Sequence, residues 1–114
     1  MVPPAPGAVV LVRFPFSDLS QTKLRPALVL AGSGRGDWIL CQITSKPYGD
    51  SSAVLLDRAS FQTGSLRWPS HARPGKLFTA NQDLISGSAG QLTPAAHRQV
   101  TEAVVALLRA GVSQ

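Results

Sequence analysis

Residues 23–45, KLRPALVLAGSGRGDWILCQITS, decide the fold. Two apolar runs, Ala27 to Ala31 and Trp38 to Thr44, are rich in residues that favour an extended chain. Between them lies Gly32-Ser33-Gly34-Arg35-Gly36-Asp37, whose glycines bend a backbone tightly, so the pair reads as two strands joined like a hairpin. Alternation along the second run puts Leu40, Gln42 and Thr44 on one face and Ile39, Cys41 and Ile43 on the other. Such a strand meets apolar neighbours on both sides.

Working outward, Val9 to Phe14 is a further run rich in β-branched residues, stopped by Pro15 and covered on both faces. The polar stretch Phe16 to Lys23 has turn-forming residues and no period; with its flank from Phe14 it predicts a mobile loop that closes over a ligand. After the turn residues Pro47 to Ser52 comes a fourth strand, Ala53 to Leu56, and the segments Leu66-Arg67-Trp68 and Lys76 to Thr79 add more. This spacing predicts a mainly β fold, a small antiparallel barrel of about five to seven strands. A helix over roughly Pro94 to Arg109 follows, with Thr93 as N-cap, Pro94 in the first turn and Gly111 as the stop. Its stripe of Ala96, Val100, Ala103, Val104, Leu107 and Leu108 is expected to pack on the sheet. The reading is one domain over residues 1–114, with a flexible Pro-rich extension at residues 1–6.

Composition narrows the function. Eleven Lys and Arg against six Asp and Glu give a net charge of +5, which points to an anionic partner. No apolar stretch is long enough to span a bilayer, and the N-terminus lacks the basic region of an export signal, so a cytoplasmic protein without membrane contact is expected. Cys41 is the only cysteine, excluding an intrachain disulfide and a thiolate metal site, and its apolar neighbours predict a core thiol. The aspartates Asp18, Asp50, Asp57 and Asp83 are scattered, and the glycine run lacks the Lys-Ser/Thr ending of a phosphate loop; no metal or cofactor is expected. His97 falls on the polar face of the helix, where solvation is expected, and His71 falls in a loop with a surface role.

Two junctions remain where a strand meets polar groups under backbone constraint. At Lys23-Leu24-Arg25-Pro26 the proline holds Arg25 extended at a strand entrance, aiming its guanidinium from the sheet edge. At Gln42-Ile43-Thr44-Ser45 a strand runs into two hydroxyls, followed by Lys46-Pro47. Taken singly, each is equally a surface charge or a turn.

Together with Val9 to Asp18, Ser70 to Thr79 and Gly90-Gln91-Leu92, these junctions appear in an order that resembles the MazF/PemK family of toxin endoribonucleases along nearly the whole chain. The family's usual Gly-Asp near the start is Gly7-Ala8 here, a departure that bears on a local turn. The resemblance implies an SH3-like barrel with a C-terminal helix, a homodimer, and ribosome-independent, sequence-specific cleavage of single-stranded RNA without metal. It implies Arg25 and Thr44 as the catalytic pair, RNA contacts from Phe14, Phe16, Lys23, Ser45, Lys46, Arg73 and Lys76, and an acidic, MazE-like antitoxin as partner. Two alternatives share the barrel: a CcdB-like toxin that poisons gyrase, and an RNA-binding barrel without catalysis.

Overall fold

The computed structural model describes residues 4–15 and 22–111, with the backbone alone for residues 14, 15 and 22. Among these residues seven strands are followed by one α-helix: β1 (Ala8–Pro15), β2 (Thr22–Gly34), β3 (Asp37–Thr44), β4 (Val54–Leu56), β5 (Phe61–Gly64), β6 (Ser70–Asn81), β7 (Ile85–Leu92) and α1 (Pro94–Ala110). They form one antiparallel sheet in the order β4-β6-β3-β2-β1-β7-β5.

The two edge strands of this sheet, β4 and β5, are consecutive in the chain. Only Asp57 and a 3-10 turn, Arg58–Ser60, lie between them. Laid flat, seven strands would hold their outer members roughly 29 Å apart at the usual spacing of about 4.8 Å. The five peptide steps from Leu56 to Phe61 reach at most about 18 Å. The sheet therefore curls until its edges face each other across a seam. Asp57 and Ser60 lock the turn reciprocally: the Asp57 carboxylate accepts from the Ala59 N–H at 3.0 Å, and the Ser60 hydroxyl accepts from the Asp57 N–H at 3.1 Å.

Curling gives the strands two apolar faces, as the alternation in β1 and β3 predicts. Val9, Leu28, Cys41, Ile43, Val54 and Ala72 are buried together with Leu92, Ala96 and Val100, beneath the helix. On the opposite face Val10, Val12, Ala27, Val29, Leu40 and Ala80 form a second core. Each fully buried Val or Leu contributes on the order of 1.5–3 kcal/mol. Thr93 caps the helix by accepting from the Ala96 N–H at 3.1 Å, and Gly111 ends it in the left-handed conformation. Ala96, Val100 and Val104 carry the buried stripe, but Leu108 is 68% exposed, so the apolar face stops a turn short of the predicted one.

Several boundaries differ from the sequence reading. The strands around Gly32 to Asp37 run further than their apolar cores, leaving Arg35-Gly36 as a two-residue turn with positive φ at both positions, the geometry that matches strand twist. Phe14 and Pro15 pair with Lys23 and Thr22, so the predicted loop begins and ends as strand; the rest of it, residues 16–21, lies outside the described residues. Leu66-Arg67-Trp68 is not a strand. Gly64 turns the chain at φ 68° and Pro69 has no N–H to donate, so the segment between them leaves the ladder. The strand in that region is β5, and β7 was not predicted.

β5 and β7 approach so closely that a Cβ on Gly64 would sit 2.2 Å from the Ala89 carbonyl oxygen, and one on Gly90 would sit 2.4 Å from that of Thr63. Among the described residues no helix is long and apolar enough to cross a membrane.

Candidate functional site

The groove that matters forms where β2 enters the sheet and β3 leaves it. Val12 pairs with Arg25, and the last β2–β3 pair is Ala27 with Gln42; Arg25 and Thr44 each lie two residues beyond it, and both line the groove. Thr44 in turn pairs with His71 on β6. Directly opposed residues of an antiparallel pair share a face, with Cβ atoms about 4.5–5.5 Å apart. Thr44 and His71 thus share one face of the sheet, as do Val12 and Arg25. Pro26 occupies the β2 position opposite Leu11, where its missing N–H falls at the end of the β2–β3 ladder.

The groove encloses about 360 Å³. Leu11, Leu24, Pro26, Ile43 and Leu66 give it an apolar lining, to which Lys23, Arg25, Thr44, Ser45, Arg67, Trp68 and Ser70 add polar and aromatic groups. Among the described lining residues three are cations and none is a carboxylate, so a bound anion meets attraction from them. Arg25 is half-buried, while Lys23 and Ser45 are exposed at the rim. The Thr44 hydroxyl closes a turn with Lys46, accepting from its N–H at 3.1 Å and donating to its carbonyl at 3.2 Å. Its proton reaches a bound anion only by exchanging the Lys46 carbonyl for it.

The sequence candidates divide. Arg25, Thr44, Lys23 and Ser45 come together in the groove, with Lys46 exposed just beyond. Arg73 does not line it: its Nε donates to Asp50 at 2.9 Å, tethering the loop after β3. Lys76 also lies elsewhere, on the bulge where the β3–β6 register slips, next to Gly75, whose position faces Leu107 of the helix. The Phe14 side chain and Phe16 fall outside the described residues.

Both histidines correct the sequence reading. His71 is a strand residue between Thr44 and Leu55, since Pro74 sits at the β6 bulge where no donor is needed; its Nδ1 is buried without a hydrogen-bond partner. His97 is only partly solvated. It packs toward Gly7, and its Nε2 is buried without a hydrogen-bond partner.

Arg67, Trp68 and Ser70 are groove residues that sequence reasoning did not place there. The Arg67 guanidinium lies 5.2 Å from the centroid of the Trp68 ring. The signal available was a tryptophan between an arginine and a proline in an otherwise polar stretch.

Cys41 is buried as expected. Its thiol donates to the Arg73 carbonyl at 3.2 Å, and burial pushes it up to about 11, which keeps it protonated and unreactive near neutrality. Among the described residues no three of His, Cys, Asp and Glu are grouped to hold a metal ion.

A family model for the PemK-like, MazF-like toxin of type II toxin-antitoxin systems matches residues 5–108. The fold is similar to that of MazF in a MazE-MazF crystal structure from Deinococcus radiodurans, at 20% identity and a TM-score of 0.75, covering 99% of this chain and 100% of that one. It is also similar to the Mycobacterium tuberculosis toxin MazF-mt6, at 17% identity and a TM-score of 0.70 over 90% and 96% of the two chains. A mycobacterial endoribonuclease in complex with its cognate antitoxin matches at 19% identity and a TM-score of 0.68, over 100% and 99%. No curated protein sequence matches the chain.

Proposed function

Since the chain belongs to the PemK-like, MazF-like toxins of type II toxin-antitoxin systems, we propose that it is an endoribonuclease that cleaves single-stranded RNA without metal. One observation carries this reading: the groove brings Arg25 and Thr44 together and gathers three cations, with no carboxylate among its described lining residues. A phosphodiester is the anion such a lining suits.

RNA supplies its own nucleophile. The 2′-oxygen attacks the adjacent phosphorus as its proton leaves, the bond from phosphorus to the 5′-oxygen breaks, and that oxygen takes up a proton. The products are a 2′,3′-cyclic phosphate and a free 5′-hydroxyl. Negative charge grows on the phosphoryl oxygens during this step, and Arg25 meets it with a planar pair of donors. Thr44 adds a hydroxyl donor from the next strand. Arg25 serves here as charge stabiliser, its guanidinium offering donors and no acceptor.

The same reading makes the protein a homodimer with RNA running across both subunits. It also makes an acidic antitoxin segment the inhibitor, lying along the cations that otherwise bind phosphate. The structures of MazE-MazF from Deinococcus radiodurans support the pairing with an antitoxin.

The test is incubation of purified protein with a long single-stranded RNA in EDTA. Cleavage to cyclic phosphate ends is expected, and Arg25→Ala should slow it at least about a hundredfold, the scale on which one transition-state donor matters. Arg25→Lys should rescue poorly. Wild-type rates in Arg25→Ala, or cleavage of a substrate lacking the 2′-hydroxyl at the cut, would refute the mechanism.

A further inference from the structure

A second cavity adjoins the groove. It encloses about 240 Å³ at the seam, where Leu56, Asp57 and Arg58 lead from β4 toward Phe61 of β5. Leu66, Arg67 and Trp68 line both spaces, so this segment is a wall with the groove on one side and the second cavity on the other.

We propose that the second cavity is a subsite for one unstacked base of the same RNA strand, with Trp68 as its stacking surface and Arg67 as the cation for the phosphate that crosses the wall. The proposal rests on the RNA-cleaving reading given above.

Four features support it. Trp68 is 61% exposed, which leaves an indole open to a stacking partner. Arg67, 5.2 Å from the ring centroid, reduces the ring's freedom before anything binds. The volume falls below the roughly 300–1,000 Å³ of cavities that take drug-sized ligands, which suits a single planar base. Finally, Arg58 and Arg67 give the cavity two cations, while the carboxylate of Asp57 is committed to capping the turn through Ala59. Single-stranded RNA is read by such splayed bases stacked on aromatic rings and arginine planes. The groove thus holds the phosphate to be cut, and the seam reads a neighbouring base.

The experiment uses short single-stranded RNA of mixed sequence with 2′-fluoro sugars, which lack the nucleophile and are not cut. Binding is followed by anisotropy, and the emission of Trp68 is obtained by subtracting the spectrum of Trp68→Phe from that of the wild type. Binding should quench Trp68. Trp68→Ala should weaken binding about five- to a hundredfold, the span of one base–aromatic stack, and Trp68→Phe should recover most of the loss. Wild-type binding with no quench and an unchanged Kd in Trp68→Ala would overturn the subsite while leaving the RNA reading intact. A wild-type protein that binds no RNA would overturn both.

Discussion

Replacing Gly64 by alanine tests how closely β5 and β7 pack against each other. Two costs are separable. Gly64 has φ 68°, and an L residue there loses roughly 1–2 kcal/mol. The added Cβ would also stand 2.2 Å from the Ala89 carbonyl oxygen and 2.6 Å from the Gly90 Cα, both backbone atoms that yield only if the strands part. Overpacking of this kind adds about 1–3 kcal/mol, so the total is about 2–5 kcal/mol. Against a typical net stability of 5–15 kcal/mol, that is a large fraction. Gly49→Ala is the control: its φ is 76°, and nothing lies within 4 Å of the new Cβ, so it bears the backbone cost alone. Urea denaturation followed by circular dichroism measures both variants. Gly64→Ala should be the less stable by at least about 1 kcal/mol. Equal losses would mean that the two strands do not meet as closely as described.

Three further outcomes follow from the geometry. The Asp50 carboxyl lies below its ordinary range because Arg73 and Ser52 donate to it, so its contribution is complete above the unfolded value near 3.9 and is lost as pH falls through the lower folded value. Thermal melts should therefore show Asp50→Asn less stable than wild type at pH 7 and indistinguishable from it in strong acid; a gap that persists in acid would exclude this charge as the cause. Cys41, buried and pushed up to about 11, should react with a thiol reagent at pH 7.5 only after unfolding, and fast labelling of the native protein would contradict its burial. Thr93→Ala removes the acceptor of the Ala96 N–H and should cost about 1 kcal/mol, read as a Tm lower by a few degrees; no change would deny it a capping role.

The parts of the fold legible in the sequence are those where side chains decide the conformation. β1, β2 and β3 are runs of Val, Leu and Ile, and α1 carries its cap, its proline and its stop within its own residues. β5 and β7, FQTG and ISGSAGQL, have few apolar positions; small residues let them pair closely, and that pairing is a tertiary fact. His71 was obscured by Pro69 and Pro74, which look like turn residues until the bulge in β6 shows where a proline fits. In the site, Arg25 and Thr44 were legible because each stands where a strand meets a constraint. Arg67 and Trp68 were not, since what brings them to the groove is the curl of a sheet whose edges lie at opposite ends of its strand order.

That curl has a consequence for how the molecule can change. The 3-10 turn at Arg58–Ser60 acts as a clasp: it is the short piece of chain holding the first and last strands of the sheet within reach of each other. Residues inserted there would widen the second cavity while β2 and β3, which carry Arg25 and Thr44, kept their register. A break in the backbone at the same place would let the cavity open without removing a strand. The length of one turn therefore sets the width of the seam, independently of the strands that carry Arg25 and Thr44.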